Sequence, residues 1–254
     1  MRKIVFALVI MSISIVGCGR NNIKEVVQGP QHTNGAAQDI QETNAVINNG
    51  GLIELHEEEL SSSEREELCN IDMSIKVAEL NEKEILYYGN RGSIFIMSGD
   101  ECTVLNKWYG AYPEISPDKK KIAYIDAVGF EIIGNICIYD INSKRNLQVT
   151  NYCYGQNDTA KVIKWLDNKY ILAIIGFGFG TVSQGGSLYV YDTQTDKLSL
   201  LITPEKKTEI KDFTLLEDKI IFNIVRWTDE IMNNHIIETK EMSLHELMSL
   251  IETK

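Results

Sequence analysis

Gly134-Asn-Ile-Cys-Ile-Tyr-Asp140 and Gly186-Ser-Leu-Tyr-Val-Tyr-Asp192 repeat one pattern at an offset of 52 residues. Each holds a short run of β-branched and aromatic residues between a Gly and an Asp. That composition suits a strand bounded by turns. Upstream of both lies a second recurring pattern. Ile115-Ser-Pro-Asp-Lys-Lys-Lys-Ile122, Ile163-Lys-Trp-Leu-Asp-Asn-Lys-Tyr-Ile171 and Phe213-Thr-Leu-Leu-Glu-Asp-Lys-Ile220 align at offsets of 48 and 50. A truncated copy of the first pattern stands at Gly92-Ser-Ile-Phe-Ile-Met97. Self-similarity at a period near 50 marks a chain of stacked supersecondary units. Each unit reads strand, turn, strand, longer loop, strand, turn, strand.

The strands themselves are legible as short apolar runs bounded by turn residues, rich in β-branched and aromatic residues and in part alternating. Ile122–Ile125, Ile136–Tyr139, Tyr170–Ile175, Leu188–Tyr191 and Ile220–Val225 are the clearest, and no stretch among them keeps a helical period. Asp140-Ile-Asn-Ser-Lys144 and Asp192-Thr-Gln-Thr-Asp-Lys197 are turns, because Asp and Asn side chains bond their own backbone. The segment Pro113-Glu-Ile-Ser-Pro-Asp-Lys-Lys-Lys-Ile-Ala-Tyr124 resembles the repeat of the TolB-type, WD40-like β-propellers, which carries Ser-Pro-Asp-Gly-Lys before a buried strand. Lys119 stands at the glycine of that repeat. The stretch from about Leu80 to Leu201 also resembles an uncharacterised family of lipoproteins from spore-forming Firmicutes. Neither resemblance implies an activity. The expected fold is all-β: propeller-like repeats of about 50 residues, three to four blades, open or incomplete, with a short C-terminal helix. Closure calls on the strand Ser74–Leu80 or on the C-terminus. Ser243 and Glu246 form a capping box, and Leu244, Leu247, Met248 and Ile251 share one helix face that can cover an apolar edge.

The N-terminus sets the compartment. Arg2 and Lys3 precede the uncharged run Ile4–Val16, 13 residues long. A membrane-spanning helix needs roughly 20 apolar residues, so this run has the length of a signal-peptide core. Ile15-Val16-Gly17-Cys18 resembles the lipobox of bacterial lipoproteins, in which the cysteine receives diacylglycerol and becomes the new N-terminus. The resemblance implies a signal peptide at 1–17 and a lipidated Cys18. Gly19, and a composition rich in Lys, Ile and Asn, point to the outer face of a Gram-positive cytoplasmic membrane. Residues 18–51, rich in Asn, Gln, Gly and Thr, read as a flexible tether. Residues 52–73 read as an acidic, partly helical segment, with Ser63 and Glu66 as its capping box. Residues 74–254 read as the β domain.

Charge removes one class of partner. The chain has 25 basic and 36 acidic residues; losing Arg2 and Lys3 leaves 23 against 36, near −13. Such a surface repels nucleic-acid phosphate, so no nucleic acid is expected. It also disfavours anionic lipid, and the two acyl chains of the anchor supply the membrane affinity. Beyond Cys18, the cysteines Cys69, Cys102, Cys137 and Cys153 permit up to two disulfides in an exported chain, with three connectivities open. No cysteine pair has metal-ligand spacing, the histidines His32, His56, His235 and His245 are scattered, and no calcium loop occurs, so neither metal nor cofactor is expected.

One loop stands out. Gly176-Phe-Gly-Phe-Gly-Thr-Val-Ser-Gln-Gly-Gly186 is too long and too rich in Gly for a hairpin turn. A phosphate-loop reading fails, because no helix follows and no Gly-Lys-Ser/Thr occurs. Ser183 misses the Gly-x-Ser-x-Gly elbow. The better reading is a ligand loop at the blade mouth, with Gly178, Gly180, Thr181, Ser183, Gln184 and Gly185 supplying amides and side-chain oxygens. No catalytic residue is identified. The functional expectation is a membrane-anchored extracytoplasmic lipoprotein that binds or scaffolds a protein or cell-wall ligand. The alternative is an extracytoplasmic hydrolase.

Overall fold

The computed structural model describes residues 46–48, 52–56, 59–129, 131–149, 154–180 and 182–254. Four antiparallel sheets follow one another along the chain. The first holds β3 (Ile75–Glu79), β4 (Glu84–Tyr88), β5 (Ile94–Ser98) and β6 (Glu101–Asn106). The second is built on β7 (Ala111–Ile115), β8 (Lys121–Ile125), β9 (Ile136–Asp140) and β10 (Arg145–Val149). The third holds β11 (Asp158–Trp165), β12 (Tyr170–Phe177), β13 (Ser187–Asp192) and β14 (Lys197–Ile202). The fourth has only β15 (Thr208–Leu215), β16 (Lys219–Trp227) and β17 (His235–Ser243). Strands pair in order within each unit, so the expected propeller-like blade pattern is present, with the fourth blade incomplete. The Gly92–Met97 copy is not truncated. It starts β5, the third strand of a full blade, as Gly134 and Gly186 stand before or at the start of β9 and β13. The first unit only has shorter loops.

Three apolar clusters fill the gaps between consecutive sheets. Leu86, Ile94 and Ile96 meet Ile122 and Tyr124 between the first and second. Ile136 and Ile138 meet Ile163, Ile171 and Ala173 between the second and third. Leu172, Ile174 and Val190 meet Phe213, Ile220 and Phe222 between the third and fourth. The central strand β12 serves two of these gaps: Ile171, Ala173 and Ile175 face one, Leu172 and Ile174 the other. That is why it reads as an unbroken apolar run rather than as an alternation.

After β17 the chain forms α2 (Leu244–Glu252), which packs on the apolar gap between the third and fourth sheets. The Ser243 hydroxyl accepts from the Glu246 amide at 3.1 Å, and Leu247 and Ile251 enter the third cluster with Leu244 and Met248 against it. At the other end, α1 (Ser62–Leu68) packs by the first sheet, burying Leu68. Its box is Ser61 with Glu64, two residues earlier than the Ser63–Glu66 reading. Both pairs fit the motif. The earlier start gives two turns before Cys69, which is bonded to Cys102 at the start of β6. Cys137 is free and buried, and Cys153 lies outside the described residues.

Strand pairing also begins earlier than expected. β1 (Val46–Asn48) pairs with β2 (Leu52–Leu55), and β2 pairs with β10, which makes the second sheet six-stranded. These strands fall where the sequence reads as tether and acidic segment. Leu52 is buried in the second cluster, and β2 occupies the otherwise open ladder edge of β10. The expected lipid-bearing Cys18 and its signal peptide lie outside the described residues.

The turns follow the side chains. Asp140 accepts from the amides of Asn142 and Ser143, and Asp192 from those of Gln194 and Thr195. In the Ser-Pro-Asp turn, the buried Ser116 hydroxyl accepts from Lys120 and Lys121 amides. Lys119 takes the left-handed conformation that the related repeat gives to Gly, with φ +57°.

Candidate functional site

The first strand of every blade is irregular. Pairing shifts between Lys76 and Ala78 in β3, between Ala111 and Glu114 in β7, between Ala160 and Val162 in β11, and between Ile210 and Asp212 in β15. Lys161 and Lys211 are therefore the extra residues of two β-bulges, 50 positions apart. Tyr112 stands in the corresponding irregularity of β7, with φ +55°. A bulge breaks the in-out alternation and re-aims one side chain. Here the result is convergence: Tyr112, Lys161 and Lys211 line a single cavity of about 360 Å³.

The Gly-rich loop forms another wall of that cavity. Of the expected ligand residues, Gly178, Gly180, Ser183 and Gln184 line it. Thr181 lies outside the described residues. Gly185 has a different task. A Cβ there would sit 2.1 Å from the Ile210 carbonyl oxygen, because the loop closes directly on β15. Gly186 completes that closure, exchanging backbone hydrogen bonds with Ile210 at 3.0 and 2.9 Å. Gly180 is open to solvent and adopts φ +72°, a conformation that L-residues with a Cβ avoid. Phe177 projects at the mouth, about half exposed, with Phe179 edge-on at 5.8 Å.

The polar network is asymmetric. Lys161 Nζ donates to Ser183 Oγ at 2.8 Å and to the Ser183 carbonyl at 3.1 Å. Burial lowers the pKa of this ammonium, while the Glu209 and Asp158 carboxylates oppose that shift. Glu209 is not its ion-pair partner. Its Oε2 accepts from the backbone amides of Gln184 and Gly185, both at 2.8 Å. The loop thus grips one carboxylate with its amides and holds the lysine apart with a serine. Asp212 also lines the cavity and accepts from Asn223.

Sequence reading found the loop and missed the lysines. Lys161 stands in Ala-Lys-Val-Ile and Lys211 in Ile-Lys-Asp-Phe. Both look like ordinary outward residues of an alternating strand. The one available signal was their equivalence in the 50-residue repeat. Among the described residues, no group of three or more His, Cys, Asp or Glu could hold a metal ion.

Several solved structures are similar to the chain. A protein described as a conserved lipoprotein of Clostridium novyi NT is similar at 25% identity and TM-score 0.49, over 53% of this chain and 87% of the other. A prolyl endopeptidase is similar at 9% identity and TM-score 0.50, over 68% of this chain. TolB of Acinetobacter baumannii is similar at 18% identity and TM-score 0.40, over 63% of this chain. The present chain spans 27% of the endopeptidase and 39% of TolB. Comparison with curated proteins finds no match. The family model described as a domain of unknown function, DUF4652, matches residues 113–244, from β7 through β17 and so across both lysine bulges, and the chain belongs to that family.

Proposed function

We propose that the chain is an exported lipoprotein, anchored at the outer face of the cytoplasmic membrane through Cys18, that presents a binding module for a protein or cell-wall ligand. The observation that carries the binding reading is the convergence of the Gly-rich loop with the equivalent bulge lysines Lys161 and Lys211, and with Tyr112 of the β7 irregularity, around one cavity. Repeated scaffolds place ligand sites where equivalent positions of successive units meet, and loops at such a mouth carry recognition. The lipobox at Ile15–Cys18 supports the anchor.

One observation bears on the hydrolase alternative. A lysine amine 2.8 Å from a serine hydroxyl is the geometry of a serine–lysine nucleophile. An acyl transfer also needs donors for the developing oxyanion. The paired amides of Gln184 and Gly185, beside Ser183 in the same loop, already hold Glu209. The binding reading therefore stands ahead of it.

The test is photocrosslinking in the native host, with a photoreactive residue at Phe177 or Val182 on the exposed mouth and at Leu216 in the β15–β16 turn. The binding reading predicts a discrete adduct from the two mouth positions and none of that kind from Leu216. Identical products from all three positions would contradict it. A Cys18→Ala change should release the protein from the membrane fraction.

A further inference from the structure

We infer that the ligand taken at this mouth carries a carboxylate, seated on the Lys161 ammonium and the Ser183 hydroxyl. This inference rests on the binding reading and narrows it to a chemical class.

The argument begins with an unbalanced charge. An ammonium withdrawn from water is stable only when paired or fully hydrogen-bonded. Lys161 has three N–H donors, and the two hydrogen bonds it makes go to neutral oxygens of a single residue. No carboxylate of the described residues lies within ion-pair distance of it, although two are near enough to be felt. Glu209, the larger of these influences, is committed to the Gln184 and Gly185 amides. Fourteen other residues share the cavity with Lys161, and Lys211 adds a second positive charge. Asp212 is the acidic group among them, and Asn223 donates to it. Nearby, Val128, Ile132 and Val162 provide apolar wall. An anion with a short apolar body fits that lining. The loop's own treatment of Glu209 points to the kind of anion, since two of its backbone amides already converge on one oxygen of a carboxylate.

Two sources could present that chemistry: a free small carboxylate, or the C-terminus of a peptide. The experiment is a titration of the full chain with butyrate, with N-acetyl-Ala-Ala, and with the amidated form of the same dipeptide. It follows the backbone amide resonances of Ser183 and Gln184. Saturable shifts with either acid, at least tenfold weaker in Lys161→Met and retained in Lys164→Met, are expected. Shifts with butyrate assign free small carboxylates; shifts with the dipeptide acid alone assign a peptide terminus. Equal binding of the amidated dipeptide overturns the carboxylate inference and leaves the mouth as a binding site. No shift with any probe overturns it too, and the crosslinking experiment then judges the binding reading separately. Lys161→Gln provides a second neutral variant, and melting transitions establish that each variant is folded.

Discussion

β11 and β12 are adjacent eight-residue strands of one sheet, yet they do opposite work. In β12, Ile171 through Ile175 are all buried, regular in pairing, and shared between two apolar clusters. β11 is buried only at Thr159, Ala160, Ile163 and Trp165 and breaks its register at Lys161. The central strand holds the blade to its neighbours. The first strand gives up pairing regularity and gains a cation in the cavity. Apolar burial and site geometry are thus divided between neighbouring strands, so they can be perturbed separately.

The largest expected effect lies in β12. Ile174→Ala removes buried methyl groups from the gap between the third and fourth sheets and should cost about 2–5 kcal/mol in a denaturant melt. Lys161→Met, across the ladder, should change stability by less than about 1 kcal/mol, because a poorly paired, partly buried charge is exchanged for an apolar chain of similar length. Equal losses from the two substitutions would erase the division of labour.

The disulfide comes next. Cys69 and Cys102 are separated by 33 residues, and chain-entropy reasoning assigns such a link about 3–4 kcal/mol. Reduction should lower the melting temperature, with α1 losing amide protection before β12 does. Hydrogen exchange that opens both together would show that α1 and the third sheet form one cooperative unit.

A pH difference sharpens the comparison further. The folded-state pKa of Lys161 is lowered, so the unfolded chain binds more protons between that pKa and the ordinary lysine value. Stability from this group therefore rises with pH across that window and is lost as pH falls through it. Wild type minus Lys161→Met should show a positive slope in the alkaline range, measured by melts at fixed ionic strength. The subtraction matters because buried Tyr124 and Cys137 have raised pKa values and impose the opposite slope on both proteins.

The smallest effect is at the Ser-Pro-Asp turn. Lys119 holds φ +57°, which costs an L-residue roughly 1–2 kcal/mol. Lys119→Gly should recover part of this, about 0.5 kcal/mol once the extra freedom of the unfolded glycine is counted.

What the sequence shows and what it hides follow the same division. The buried strands β8, β9, β12, β13 and β16 are visible because period, composition and flanking Asp turns agree. The Gly-rich loop is visible because the close approach of Gly185 to β15 and of Gly186 to β12 excludes side chains. Lys161, Lys211 and Tyr112 are hidden, since a bulge leaves no mark in composition and shifts the in-out alternation that strand reading relies on. The α1 register is hidden for another reason: two overlapping capping boxes fit equally well until the Cys69–Cys102 link and Leu68 burial choose between them. The pairing of β2 with β10 is a contact between segments some 90 residues apart, which local pattern does not encode.

The most direct test of the bulge account compares two lysines of β11. Lys161 occupies the bulge and lines the cavity; Lys164 is in regular pairing and meets Glu114 at 3.3 Å. Trace acylation of the full chain across a pH series, read by mass spectrometry at each lysine, reports both access and ionisation. The account predicts that Lys161 labels to a lower plateau than Lys164 and reaches half of its own plateau below the ordinary lysine range. A plateau equal to that of Lys164, with half-labelling of Lys161 in the ordinary lysine range, would place Lys161 in open solvent and contradict the claim that the bulge turns it into the cavity.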